Sequence, residues 1–264
     1  MKNNLKAITI SFFFFYSLIS VAQETEKKES KSKSFFKENI EYQAKLQLTL
    51  GGASPLGIPA QIRKIESFKP TNIFGIEANA TKWIHNEHKY GIRVGLKIES
   101  RAMKTQAEVK NYFTQIEDDS GARTTGYFTG HVVTRANNTY LTLPVLFVWN
   151  ISEKWNVYGG FYLSTALNKS FDGYIYDGVF REGTPIGEPA TFEGDAIGIY
   201  DFSNDVSTFQ FGEQIGIEYK INSQFSLSLD GSFANTPVFK KDFEAISFKM
   251  YNIFGNLGFA YKFL

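Results

Sequence analysis

The chain has 264 residues, 43% of them hydrophobic and 16% aromatic, with 28 Lys and Arg against 27 Asp and Glu. A net charge near zero offers no basic surface for nucleic acid. The absence of cysteine excludes a disulfide framework, thiolate metal sites and the lipid anchor of a lipoprotein. Phe contributes 26 residues and Gly 22, a balance that fits a β protein with many bends better than a helical one.

Residues 1–22, MKNNLKAITISFFFFYSLISVA, read as a secretory signal peptide for the Sec route. Lys2 and Lys6 form the positive start, Ala7 to Ile19 is mostly apolar, and Ser20 and Ala22 stand at −3 and −1 of a cut before Gln23. The apolar run is too short to span a bilayer comfortably. Its removal takes two lysines away and leaves 26 basic residues against 27 acidic ones. Residues 23–41 open with QETEKKESKSKS, which has no large apolar side chain, and read as a polar periplasmic linker. No later stretch approaches the 18 continuous apolar residues of a membrane-spanning helix.

From Tyr42 the apolar residues recur at every second position, the signature of a strand with two unlike faces. Eight such segments follow in order, near 42–52, 72–83, 89–103, 137–149, 155–167, 206–221, 225–235 and 251–264. The third, for example, sets Tyr90, Ile92, Val94, Leu96 and Ile98 against Gly91, Arg93, Gly95, Lys97 and Glu99. The last, YNIFGNLGFAYKFL, keeps its alternation to the end of the sequence. A soluble sandwich would show the same alternation with the apolar face inward. Three features favour a membrane barrel. The segments are about ten residues or longer, the length of a tilted crossing. Short turns at IHNEH, NISEK and NSQ alternate with long connections, as in barrels with short periplasmic turns and long outer loops. Aromatic residues bracket the short turns: Trp83 and Tyr90, Trp149 and Trp155, Tyr219 and Phe225, with Phe263 at the same level. Such rings suit the membrane–water boundary and are expected to form an aromatic belt. The sequence therefore predicts an all-β fold over 42–264, an eight-stranded antiparallel transmembrane up-and-down β-barrel of the outer-membrane type. An even strand count puts both termini in the periplasm of a Gram-negative bacterium.

The face opposite the apolar one carries Lys45, Glu77, Arg93, Lys97, Glu99, Glu218 and Asp230, which are expected to line the lumen. An eight-stranded interior is about wide enough for side chains to fill. The set reads as an ion-paired plug, with a narrow ion path as the alternative, and Glu77 with Arg93 is a plausible hairpin pair. Glu213 breaks the apolar face of its segment, and a β-bulge that turns it inward is favoured over a covering partner subunit. Pro144 cannot donate to a ladder and marks a kink.

No catalytic, cofactor or metal set emerges. His85 and His88 flank Glu87 in a turn and read as a polar cap at head-group level rather than a metal site. His131 shares a loop with Asp118, Asp119 and Ser120, without a triad spacing. Asp201 and Asp205 do not match a calcium loop. The connection at 168–206 is rich in aromatics and is expected to fold over the mouth or extend the strands as hairpins.

The segments YLTLPVLFVW (140–149) and NVYGGFYLS (156–164), with the start KLQLTLGGASP and the pair FGIEANATKW and YGIRVGLKIES, resemble the PorT-like outer-membrane β-barrel proteins of Bacteroidetes. The resemblance covers about 42–264. It implies the barrel fold, a link to type IX protein secretion and no catalytic residues. The expected partners are outer-membrane lipid and lipopolysaccharide, the barrel-assembly machinery and secretion-system or other envelope proteins, with no nucleic acid. The leading function is a non-enzymatic scaffold or binding protein. A small-solute channel and a lipid-modifying barrel enzyme are the alternatives.

Overall fold

The computed structural model describes residues 38–71, 73–84, 87–117 and 121–263. The expected signal peptide, most of the linker, and His85, Asp118, Asp119, Ser120 and Leu264 lie outside the described residues. By its contacts the chain divides into Met1–Ile40 and Glu41–Leu264. The second unit holds a twelve-stranded sheet. In chain order the strands are β1 (Ile40–Pro55), β2 (Ile62–Thr71), β3 (Phe74–Trp83), β4 (Tyr90–Glu117), β5 (Arg123–Asn150), β6 (Trp155–Asn168), β7 (Phe171–Glu182), β8 (Pro189–Phe192), β9 (Gly198–Asp201), β10 (Phe209–Lys220), β11 (Phe225–Ala234) and β12 (Met250–Phe263).

All eight alternating segments are strands: β1, β3, β4, β5, β6, β10, β11 and β12. β1 lies between β3 and β12, β12 pairs β11, β11 pairs β10, β10 pairs β6, β6 pairs β5, and β5 pairs β4, which pairs β3. The first and last strands match from Tyr42↔Phe263 to Pro55↔Met250 without a bulge.

The strand count exceeds the expected eight because the outer connections are themselves sheet. β4 and β5 are 28 residues each, far beyond the roughly 9–11 that a crossing needs. β2 pairs the outer half of β4, β7 pairs the outer half of β5, and β8 and β9 pair β7. β2 escaped the sequence reading because two register shifts fall inside it, between Ile62 and Lys64 and between Ile65 and Ser67. Each shift inserts a residue, so Ile62, Ile65 and Phe68 share a face at every third position rather than every second. The connection at 168–206 extends the sheet through β7, β8 and β9. The connection at 235–249 covers the mouth instead, burying Val238, Phe239, Ala245 and Ile246.

The polarity of the molecule inverts along its length. In the inner half the exposed face is apolar and the buried face polar: Ile215 is 73% exposed, whereas Lys97 is 1% exposed. In the outer half the buried face is apolar. One face of β4 shows both regimes, running Arg93, Lys97, Glu99 and Arg101, then Met103, Ala107 and Val109, all buried. The opposite face runs Ile92, Val94, Leu96 and Ile98, then Ser100 and Ala102, then Lys104, Gln106 and Glu108. A surface of large apolar side chains needs an apolar surround, and a surface of Lys, Gln and Glu needs water. The change of surround therefore falls between Ile98 and Lys104.

The exposed apolar band predicts that the chain stays dispersed only with detergent or lipid. Size-exclusion chromatography in plain buffer checks this, and a monodisperse peak there would mean the apolar side chains are packed inward.

Candidate functional site

Among the described residues eight charged side chains are buried: Lys45, Glu77, Arg93, Lys97, Glu99, Arg101, Glu218 and Asp230. Four are positive and four negative, so the set is neutral. Lys45 Nζ lies 2.7 Å from Glu77 Oε2 and 3.6 Å from Asp230 Oδ2. Arg93 Nη1 lies 2.9 Å from Glu218 Oε2, a reach from β4 to β10. Glu99 holds two cations, Lys97 Nζ at 2.9 Å and Arg101 Nη2 at 2.8 Å. Neutral donors add to two of the shells, while Glu77 Oε1, Arg93 Nη2 and Arg101 Nε have no hydrogen-bond partner among the described residues. Gln43 donates to Glu218, while Tyr158, Gln214 and Asn256 all donate to Asp230. A buried charge without a partner is costly, so this degree of pairing is what makes the set tolerable.

All seven expected interior charges are buried here, but the pairing differs from the expectation. Glu77 stands opposite Lys97 and Arg93 opposite Thr81, so Glu77 pairs Lys45 and Arg93 crosses to Glu218. Arg101 is the residue missed. The seven alone carry three positive and four negative charges, and Arg101, two positions past Glu99 on the same face, restores neutrality. Its guanidinium donates to Gln210 Oε1 at 2.9 Å and sits 4.9 Å from the Tyr140 ring, 5.1 Å from Tyr162 and 5.7 Å from Phe254.

The Tyr-Leu-x-x-Pro stretch serves this interior. Tyr140 covers Arg101 and accepts from Gln210. The β4–β5 ladder skips from Val94↔Val145 to Lys97↔Thr142 beside Pro144, which has no N–H to give. Gly95 fits there because a side chain would press on Asn79 and lie 3.0 Å from Pro144 Cγ.

The inner end is closed by Trp83, which corrects the expected belt. Trp83 is 1% exposed and clusters with Leu146, Val148 and Tyr158. Its indole donates to Glu41 and stacks on His88. The cause is parity: Trp83 shares the inward face of β3 with Glu77, Asn79 and Thr81. The other six belt residues stay on the outer face. Tyr90 stacks on Trp149, Trp155 lies 4.8 Å from Tyr219, Phe225 stacks on Phe259, and Phe263 meets Tyr261 edge-on.

Glu213 is not turned inward by a bulge. Its register is unbroken on both sides, Glu213↔Phe233 and Glu213↔Phe161. It stays exposed on the outer face and accepts from Asn235 at 3.3 Å. His131 Nδ1 faces Glu66 Oε2 at 3.2 Å. Asp201 accepts from the Ser203 backbone N–H, and Asp205 faces Arg123.

Above Arg101 and Phe254 the interior opens into a chamber of about 410 Å³. Met103, Ala107, Val132, Phe171, Phe202 and Ile246 give it apolar walls. Two phenols face it. Tyr200 is occupied, donating to Val133 O at 2.9 Å and 2.7 Å from Thr134 Oγ1. Tyr112 has no hydrogen-bond partner among the described residues, and burial pushes its phenol up, so it remains a neutral donor.

An apolar belt outside, a charge-balanced interior and short turns at one end are the features of a chain built for a bilayer. The model of a family described as "Outer membrane protein beta-barrel domain" matches residues 21–240. The chain belongs to that family. This outer-membrane β-barrel protein is also similar to solved structures at low identity. Ail, the attachment invasion locus protein of Yersinia pestis, is 11% identical, with 85% of this chain and 97% of that one covered at a TM-score of 0.31. Neisserial surface protein A is 10% identical, with 86% and 98% covered at 0.31. OprG from Pseudomonas aeruginosa is 13% identical, with 85% and 94% covered at 0.26. No curated protein matches the sequence.

Arg93→Ala leaves Glu218 buried without its cation. The expected loss is about 3–5 kcal/mol, read as a lower urea midpoint in lipid vesicles. The double variant Arg93→Met, Glu218→Leu is expected to lose less, because it leaves no orphaned charge.

Proposed function

We propose that this chain is a non-conducting, non-enzymatic outer-membrane protein that binds at its outer face. In this reading β1, β3, β4, β5, β6, β10, β11 and β12 close as an eight-stranded transmembrane barrel. Both ends of the chain and the short turns face the periplasm after Sec export. The observation that carries the reading is the neutral network of eight buried charges. Interlocked pairs such as Arg93 with Glu218 and Lys97 with Glu99 leave no free fixed charge to draw an ion inward. Trp83 and Tyr158 close the inner end beneath them. An interior of this strand number is about the width that side chains fill.

The outer half is where recognition belongs. It is folded rather than loose, with its own apolar core from Met103, Phe128, Ile175 and Phe202 to Met250. A rigid platform on long connections is a common way for a scaffold to present a binding surface. The resemblance to PorT-like proteins supports an accessory role in type IX secretion, with envelope proteins as partners alongside lipid, lipopolysaccharide and the assembly machinery.

Planar-bilayer recording tests the closed interior: the inserted protein is expected to be silent, and steady unitary currents would establish a channel. Isolation from outer membranes under mild detergent tests the accessory role. Stable, stoichiometric envelope neighbours are expected, and recovery of the barrel alone would remove that role.

A further inference from the structure

The chamber has a side opening, and its position identifies what it takes. Its walls are buried or half-buried except at three lining residues: Ile65 and Phe68 are 49% exposed and Ile253 is 41% exposed. All three stand where β1, β2 and β12 meet. Below this point β1 is tied to the β3 side, where Thr49 N–H donates to Ile73 O at 2.6 Å. Above it, the described pairings give β1 only β12, through Pro55↔Met250, and give β2 only β4. Two strand edges therefore face each other across a seam. Gly51 and Gly52 lie at its foot. Gly51 has φ +152 and sits against Ile253 O and Phe254, so a side chain there would collide. A side chain at Gly52 would meet Met103 Sδ at 2.5 Å and Phe68 Cε2 at 3.1 Å, both of which line the chamber. Ile253 is the cross-strand partner of Gly52 and reaches the chamber from the outer face of β12.

The level of the seam follows from strand geometry. Gly52 is ten residues along β1 from Tyr42, which at ~3.3 Å per residue and ~40° tilt is about 25 Å, the height of a barrel's apolar band. The mouth thus lies at the outer edge of the hydrocarbon, where β4 changes from Ile98 to Lys104. Leu56 and Ile58 beside it are 60% and 65% exposed.

We propose that the chamber binds one single-chain amphiphile drawn from the outer leaflet through the seam between β1 and β2, with its tail along Met103 and Ala107 and its acceptor head at Tyr112. The proposal rests on the membrane-barrel reading above. An apolar volume of about 410 Å³ is in the range of small-molecule sites, which typically pair apolar walls with one or a few polar groups. Tyr112 supplies that group, and a neutral phenol donates to a carboxylate or ester oxygen. The orientation fits as well. Tyr112 lies on the water side of the chamber, where Ile246 and Phe248 separate it from a groove lined by Gln61, Asn111 and Lys249. A ligand held this way keeps its head toward water and its tail toward the bilayer, as it stood in the leaflet. The plug below ends in Arg101 and its aromatic cover, which bars passage inward.

The test uses the mature chain inserted in dimyristoyl phosphatidylcholine vesicles, a diazirine analogue of hexadecanoic acid as probe, and mass-spectrometric mapping of adducts. Saturable labelling of Met103, Ala107 or Ile246, at one probe per chain, is expected. Ala107→Trp, which fills the chamber, is expected to abolish it while non-saturable adducts on Ile92 and Leu96 persist. Tyr112→Phe keeps the shape and is expected to weaken saturable labelling by about tenfold, the effect of ~1.4 kcal/mol. Adducts confined to Ile92, Leu96 and other lipid-facing residues would overturn the chamber site while leaving the barrel intact. Absence of adducts at those residues too would mean the chain had not inserted, and would overturn the barrel reading instead.

Discussion

The pairing of β1 with β12 is the contact on which the rest of the structure depends. Each backbone N–H and C=O that faces hydrocarbon needs a partner within the protein, because there is no water to supply one. The strands nearest the two ends of the sheet-forming region would otherwise carry bare edges. Their register from Tyr42↔Phe263 to Pro55↔Met250 removes both. It also fixes which side chains point inward. A shift of one residue would send Lys45 into lipid and Leu46 into the interior.

With the faces fixed, the surround dictates chemistry. Apolar residues cover the outside of the inner half, so polar residues fill the inside, and these must satisfy one another. Eight charges of balanced sign do so through short pairs and neutral donors such as Gln43, Tyr158 and Asn256. Past Ala102 the same strands run with an apolar inside and a polar outside. One continuous sheet therefore holds two cores of opposite kind, stacked end to end. Arg101 sits at the junction: its charge pairs with Glu99 below, and its flat face lies near Tyr140, Tyr162 and Phe254, beneath the chamber.

This stacking separates the roles of the two halves. The polar core is charge-balanced and has no surplus charge to offer. The apolar core has a chamber, a phenol at Tyr112 with no hydrogen-bond partner among the described residues and a break in its wall where β1 leaves β3. Recognition in the proposed function falls to the second half because only there does a chamber open beside an exposed break in the wall.

The membrane-facing strands were legible in the sequence because lipid imposes strict alternation over ten or more residues, and all eight segments from Tyr42 onward are strands. Seven of the eight buried charges were legible by the same parity, whereas Arg101, two positions past Glu99 on the same face, was missed. Parity also placed Trp83 inward, against the general preference of tryptophan for the boundary. Only the tertiary structure decided who pairs with whom, since the partners of Glu77 and Arg93 depend on register and on a reach across the interior. It alone revealed β2, whose two bulges break the period, and the lid at 235–249, whose apolar residues follow no period at all. The chamber and its seam are likewise invisible in one dimension. They arise from strands diverging beside Gly51 and Gly52, and a local sequence pattern records which face a residue takes, not the space between two faces.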